Sequence, residues 1–145
     1  MFDQLCMYCT KNETLRSIML PVCEVDGFSL YLHRNQTYLG RCVLAYCDHV
    51  ATVAEMDTQT EMRFFAAAQK VARALTDVFS PGQINMGMYA DKVRHAQIHI
   101  VPKYEGGPDW GDTFRMNPQP EKLLSPQEYE QMIARIREAL MRLDQ

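Results

Sequence analysis

The pattern of apolar and polar residues predicts two groups of strands separated by a long helix, with a second helix near the end of the chain. Strands are expected where apolar residues alternate with polar ones, because successive side chains of a strand point to opposite faces. Such stretches lie at 28–33, 41–46, 84–89 and 96–101, and residues 16–21 form a weaker candidate. Strands on both sides of a helix favour an α+β domain with a mainly antiparallel sheet.

Each of the two predicted helices has a start signal and an apolar stripe. Thr58 and Glu61 have the spacing of a capping box, and the first helix is expected to end at the Ser-Pro-Gly run of 80–82. Its stripe consists of Met62, Phe65, Ala66, Ala72, Leu75 and Phe79. Ser125 and Pro126 suit the N-cap and the first position of the second helix. Its apolar face consists of Tyr129, Met132, Ile133, Ile136, Leu140 and Leu143.

Length and composition indicate a single domain that spans residues 1–145. A chain of 145 residues can bury a sizeable core without disulfides, and five cysteines, an odd number, favour thiols or metal ligands. The net charge of −3 gives no electrostatic reason to expect binding to nucleic acid or to an anionic membrane. No signal peptide or membrane-spanning apolar run is recognised, so the cytoplasm is the expected compartment.

The stretch 94–103 carries the most informative chemistry. On an extended strand, His95, Gln97 and His99 share one face, while the apolar residues between them face the core. Polar atoms on a buried face need hydrogen-bond partners, so these three side chains are poor core residues. They indicate either a solvated sheet face with incidental histidines or a functional site.

This stretch resembles the motif of the histidine-triad (HIT) family, in which three histidines alternate with apolar residues. Other segments resemble the same family at suitable spacing: Gly40 with Val43-Leu44, His49, Ile84-Asn85, Pro102-Lys103-Tyr104 and Pro108-x-Trp110-Gly111. The opening Cys6-x-x-Cys9 is similar to that of the zinc-binding bacterial members. The resemblance covers about 6–111, and a loop and helix over 112–145 follow. It implies a five-stranded antiparallel sheet with two helices, usually paired into a homodimer.

The resemblance implies a reaction class, and one residue departs from it. In the family, the middle histidine attacks the α-phosphorus of a nucleoside phosphoramidate or dinucleoside polyphosphate, and water hydrolyses the resulting nucleotidyl-histidine. Gln97 occupies that position, and its amide nitrogen cannot attack because the lone pair is delocalised. His99, at the third position, is intact and is expected beside the transferred phosphate.

The family also implies a nucleotide pocket. Its expected residues are His33, Asp91, Lys92, Val93, Gln97 and His99, together with apolar residues of the early strands such as Phe28 and Leu30. His33 stands where many members place asparagine or aspartate against the ribose. Asp91 stands about where an amide is common, and its carboxylate repels a phosphate unless Lys92 or Arg94 compensates.

Carried over residue by residue, the zinc ligands of the family become Cys6, Cys9, His49 and His95. Two cysteines and two histidines suit a closed tetrahedral zinc site with a structural role. Cys47, two residues before His49, is an alternative ligand. A Cys-x-x-Cys redox centre or a pair of reduced thiols would be the explanation without a metal.

Three functions remain open from the sequence. The first is a degenerate member that binds a nucleotide or nucleoside phosphate without covalent catalysis. The second is a hydrolase or nucleotidyl transferase in which water attacks directly, with His99 as general base or acid and Gln97 orienting the water. The third is a zinc-stabilised protein-interaction module, which would present an exposed apolar patch around Trp110 and Phe114.

Overall fold

The computed structural model describes residues 1–145 and contains one antiparallel sheet of five strands. The strands are β1 (Met19–Val25), β2 (Phe28–His33), β3 (Cys42–Ala45), β4 (Gln83–Gly87) and β5 (Gln97–Lys103), in the order β1-β2-β3-β5-β4. The helices are α1 (Met7–Thr10), α2 (Glu13–Ile18), α3 (Thr58–Phe79) and α4 (Pro126–Leu143), with a 3-10 turn at Val53–Glu55. The predicted α+β class and five-stranded sheet are confirmed. No helix has the length and apolar character needed to cross a bilayer.

The start of the chain contains two short helices in addition to the two that the sequence predicts. The sequence predicts a strand over 16–21, but the first half of that stretch belongs to α2, and β1 begins at Met19. Asn12 caps α2 because its side chain accepts a hydrogen bond from the backbone N–H of Leu15, which is buried. A helix of six residues is too short to show a helical period, so the pattern alone does not reveal it.

The long helix α3 lies where it is predicted, but its cap and its buried face differ from the prediction. Asp57, not Thr58, is the N-cap, and its side chain accepts from the backbone N–H of Thr60. The buried residues are Phe64, Ala67, Ala68, Val71, Ala74 and Leu75. Met62 is 68% exposed and Phe65 is 41% exposed. Small alanines occupy much of the packed face, where they allow close approach to neighbouring elements, so side-chain size gives a misleading guide to the buried face.

Helix α4 confirms its predicted start. Ser125 accepts from the backbone N–H of Glu128, and the Glu128 side chain accepts from the Ser125 N–H, which completes a capping box with Pro126 at the first helical position. The buried face is Tyr129, Met132, Ile136, Ala139 and Leu140, and only Leu143 of the predicted face lies at the exposed end.

The two faces of the sheet have different coverings. Ile98 and Ile100 of β5 join the main core with residues of α3 and α4. Phe28 and Leu30 belong to this same core, so they do not line the pocket as the sequence suggests. The other face is covered by residues of α1 and α2 and carries Gln97. Because that face is covered, the interpretation of a solvated sheet face is wrong.

Gly40 fixes the chain direction at the entrance to β3. Its φ is +92°, and a Cβ at this position would lie 2.7 Å from Cδ2 of Phe79. Its N–H donates to Oε1 of the fully buried Gln36 at 2.7 Å. Only glycine tolerates both the left-handed backbone and the close contact. The turn therefore places the next residue, Arg41, at the head of β3.

Candidate functional site

The cysteines and histidines expected to hold a metal come together in one cluster. Cys6 and Cys9 lie at the start and within the single turn of α1, His49 follows β3, and His95 precedes β5. One ligand atom from each of these four residues lies within 4.8 Å of every other. Cys47 is exposed and lies outside the cluster, so the structure gives no support for it as a substitute ligand.

Three of the separations within the cluster are close to those around a tetrahedral metal ion. The Nδ1 atom of His95 lies 3.3 Å from Sγ of Cys6 and 3.2 Å from Nδ1 of His49, and Sγ of Cys9 lies 3.4 Å from Nδ1 of His49. Zinc bonds of about 2.0–2.3 Å in a tetrahedron give ligand separations of about 3.3–3.8 Å. Two sulfurs and two imidazole nitrogens are also the donor set that zinc prefers.

A backbone hydrogen bond orients His95 toward this cluster. Its Nε2 lies 2.8 Å from the carbonyl oxygen of Tyr46, which can only accept, so the hydrogen is on Nε2 and the lone pair is on Nδ1. Burial lowers the pKa of His95, which keeps the ring neutral. Metal-bound histidines are commonly oriented in this way by a partner on the other ring nitrogen.

A separate cavity of about 570 Å³ lies beside the cluster, on the same face of the sheet. All six residues predicted for the nucleotide pocket line it: His33, Asp91, Lys92, Val93, Gln97 and His99. Its apolar wall comes from Met7, Ile18, Met19, Tyr89, Phe114 and Met116. The cavity thus combines a polar floor with an apolar wall, which is the usual character of a small-molecule site.

Gln97 is held in a fixed orientation at the floor of the cavity. Its Oε1 accepts a hydrogen bond from the hydroxyl of Tyr8, and its Nε2 donates to the carbonyl oxygen of His95 at 3.3 Å. The Tyr8 ring stacks on the His95 ring with a centroid distance of 5.0 Å. Tyr8 therefore contacts both the cluster and the cavity, a role that the sequence gives no reason to assign.

Arg41 is a second site residue that the sequence analysis misses. It is fully buried, and its Nη2 donates to Nδ1 of His99 at 3.1 Å, while its Nη1 donates to the carbonyl oxygen of Met116 at 2.9 Å. It has no carboxylate partner, and its buried Nε has no hydrogen-bond partner. Alternation along β3 places Arg41 and Val43 on the same face, and a charged residue there could have served as a signal.

The two histidines of the cavity are buried and neutral. Burial lowers the pKa of His33 to about 3, and the charge of Arg41 adds to this effect. Burial and the same guanidinium lower the pKa of His99 to about 3. Arg41 itself keeps its charge, because burial lowers its pKa only to about 10. At neutral pH the cavity floor therefore contains two uncharged imidazoles, and the positive charge of Arg41 lies behind one of them.

The loop after β5 does not form the apolar patch expected of an interaction module. Phe114 is buried against the rings of Tyr38 and Tyr89, and the Arg41 guanidinium lies 5.5 Å from its ring centroid. Trp110 is 41% exposed and covers Gly82. Since Phe114 faces the site, the two aromatic residues do not share one exposed surface.

Comparison with known proteins identifies the family to which this fold belongs. Residues 21–106 match the family model described as the HIT domain. Protein hit from Bacillus subtilis is 28% identical over 120 residues, which cover 75% of this chain and 83% of that protein.

Solved structures have the same fold at lower identity. A histidine triad protein from Sinorhizobium meliloti has a TM-score of 0.81 at 19% identity and covers 88% of this chain and 94% of its own. A hypothetical histidine triad nucleotide-binding protein from Sulfolobus tokodaii has a TM-score of 0.72 at 22% identity, with coverages of 95% and 93%. A Zn-bound histidine triad family protein from Mycobacterium smegmatis has a TM-score of 0.68 at 20% identity, with coverages of 97% and 96%. Because the family model matches more than half of the sequence, this chain belongs to the HIT family.

Proposed function

We propose that this protein binds a nucleotide or nucleoside phosphate in the cavity and forms no covalent nucleotidyl intermediate. The observation that carries the proposal is Gln97, whose amide is fixed on the cavity floor by Tyr8 and by the backbone of His95. An amide in that place can bind a phosphate oxygen through its further N–H group, but it cannot attack phosphorus.

The distribution of charge and apolar surface supports a nucleotide as the ligand. The Arg41 guanidinium lies behind His99 without a carboxylate partner, so an anion in the cavity would be electrostatically favoured. Lys92 lies on the exposed loop at the rim. Met7, Ile18 and other apolar side chains of the wall would contact the base. We therefore expect the phosphate to bind near the β5 face and the base toward α1 and α2.

The second hypothesis, direct attack of water on the α-phosphorus, needs a group that takes a proton from that water. His99 is the residue expected to do so. Its Nδ1 already accepts a hydrogen bond from Arg41, which leaves Nε2 as a donor. The contact disfavours His99 as a general base, so binding without turnover is the function that the geometry supports best.

The proposal assigns zinc to Cys6, Cys9, His49 and His95, with a structural role. Support comes from the grouping of the four donors within 4.8 Å of one another and from the orientation of His95 by Tyr46. Bound zinc would hold α1 against β5. This in turn would fix Tyr8, which lies between the two cysteines.

A homodimer is the expected assembly. Strand β4 is at one edge of the sheet, so its outer backbone groups are free to pair with another strand. Met86 is 43% exposed and Tyr89 is 49% exposed next to that edge. Light scattering of the purified protein would measure twice the mass of 16.8 kDa if a second copy is bound, and the single mass if it is not.

The proposal can be tested by measuring binding and turnover separately. Calorimetric titration with AMP and GMP measures binding, and chromatography measures AMP released from adenosine phosphoramidate and diadenosine polyphosphates. We expect the wild type to bind AMP or GMP and to release nothing, and Gln97→His to gain release because an imidazole is a competent nucleophile. Gln131→His, the same replacement at an exposed position of α4, is the control and should have no effect. Release by the wild type at the rate of Gln97→His would contradict the proposal.

A further inference from the structure

The two cavity histidines have the same ring nitrogen occupied. Nδ1 of His33 lies 3.2 Å from the backbone N–H of Asn35, and Nδ1 of His99 lies 3.1 Å from Nη2 of Arg41. A backbone N–H and a guanidinium can only donate. Each Nδ1 must therefore be the acceptor, and in a neutral ring the hydrogen is then on Nε2.

Both rings line the cavity, so each can offer an Nε2–H group to a ligand. Neither ring has an unused lone pair, because the only one in a neutral imidazole is on the nitrogen that already accepts. Their low pKa values, about 3 for both, exclude the doubly protonated ring at neutral pH. The ring pair consequently offers hydrogen-bond donors and no proton acceptor.

Holding the His99 ring with a buried Arg41 has a free-energy cost. Burying a guanidinium without a carboxylate is unfavourable, and Arg41 is 0% exposed with an unpartnered Nε. Contacts to the Met116 carbonyl oxygen and to Nδ1 of His99 are its main compensation. Such an arrangement is typical of a functional site rather than of a core that is optimised for stability.

We infer that Arg41 is a positioning residue that holds His99 in its Nε2–H tautomer, so that His99 donates to a phosphate oxygen and cannot act as a general base. The part that concerns the phosphate rests on the proposed function. The part that concerns the tautomer does not, because it follows from contacts within the protein. Arg41 also adds positive charge behind the donor, which strengthens a hydrogen bond to an anion.

The tautomer can be measured without any nucleotide by nitrogen-15 NMR of the histidine side chains. In the wild type we expect Nδ1 of both His33 and His99 to show the shift of an unprotonated nitrogen and Nε2 that of a protonated one. In Arg41→Met, the two nitrogen shifts of His99 should move toward each other as the tautomers mix, while those of His33 stay unchanged as an internal reference. Arg41→Lys, which keeps a donor and a charge, should retain more of the wild-type pattern.

Two results would overturn the inference: a protonated Nδ1 at His99 in the wild type, which needs no variant at all, or a His99 spectrum that Arg41→Met leaves unchanged.

Titration with AMP then separates this inference from the proposed function. We expect Arg41→Met to weaken AMP binding by about 10- to 100-fold through loss of a charge-assisted contact. If no nucleotide binds to the wild type but the tautomers are as expected, the proposed function fails and the positioning role stands. If AMP binds but Arg41→Met changes neither affinity nor tautomer, the positioning role fails alone.

Discussion

His95 and His99 lie on the same face at two points of the motif segment, and the protein uses their rings in opposite orientations. His95 directs Nε2–H to a backbone carbonyl and turns its Nδ1 lone pair toward Cys6 and His49. His99 receives a hydrogen bond on Nδ1 from Arg41 and leaves Nε2–H for the cavity. One ring is therefore prepared for a cation and the other for an anion. The difference shows that the partner of the second nitrogen, and not the residue type, decides what a histidine can bind.

The largest effect is expected at the cluster of Cys6, Cys9, His49 and His95. Zinc present at about 1,000 times its dissociation constant stabilises a protein by about 4 kcal/mol, which corresponds to about 10 °C in melting temperature for a chain of this size. Treatment with a chelator, or Cys9→Ser, should lower the melting temperature by this amount in calorimetry. Cys47→Ser removes an exposed thiol outside the cluster and should leave it unchanged. An equal melting temperature with and without chelator would mean that the cluster holds no metal.

A smaller effect on the free energy of unfolding is expected from His99, in the cavity, when the pH falls. The unfolded chain binds a proton at His99 below about pH 6.5, whereas the folded chain binds it only near its lower pKa of about 3. The stability from a neutral His99 is complete above pH 6.5 and decreases by about 1.4 kcal/mol per pH unit between pH 6 and 4. Urea unfolding of His99→Asn over this range should have a shallower pH slope than the wild type. Identical slopes would mean that folding does not lower the pKa of His99.

A substitution at Tyr8 tests whether the metal cluster and the cavity can be perturbed independently. Tyr8→Phe keeps the ring that stacks on His95 but removes the hydroxyl that donates to Gln97, so the buried Oε1 loses its partner. The expected loss in the free energy of unfolding is about 2 kcal/mol, with zinc affinity unchanged. Tyr104→Phe, which removes an exposed hydrogen bond to the Leu39 carbonyl oxygen, is the matched control and should cost about 0.5 kcal/mol. If Tyr8→Phe weakens zinc binding as much as Cys9→Ser does, the metal cluster and the cavity cannot be perturbed independently.

The smallest effects are expected at the rim of the cavity. Asp91 and Lys92 are adjacent exposed residues of opposite charge. Asp91→Asn should tighten AMP binding, and Lys92→Gln should weaken it, each by about two- to fivefold because exposed charges contribute about 0.5–1 kcal/mol. Both changes should shrink as salt is added. Shifts in the same direction, or shifts that persist at high salt, would place the phosphate away from this loop.

Sequence reasoning recovers the elements that depend on local pattern. The strands around the helix α3, the cap of α4 at Ser125 and the grouping of Cys6, Cys9, His49 and His95 follow from alternation, capping chemistry or family resemblance. Each of these features depends on residues within a short stretch of chain or on a spacing that the family resemblance supplies.

The features that sequence reasoning misses depend on contacts between distant segments. Arg41 contacts His99, 58 residues away in sequence, and Met116, 75 residues away. No local sequence pattern predicts either contact. The hydroxyl of Tyr8 meets Gln97 across 89 residues. The buried face of α3 is similarly set by the sheet and α4, which accept alanines and leave Met62 outside. Pattern alone therefore locates the elements, while the tautomer of a ring is decided by tertiary packing.

The position of Tyr8 has a thermodynamic consequence. It lies between Cys6 and Cys9 in sequence, its ring lies on His95, and its hydroxyl holds the amide that would meet the ligand. If zinc restricts the motion of this one side chain, a nucleotide binds to a floor that is already ordered and loses less conformational entropy. Linkage is reciprocal, so a bound nucleotide would tighten zinc binding by the same coupling free energy that zinc contributes to nucleotide binding.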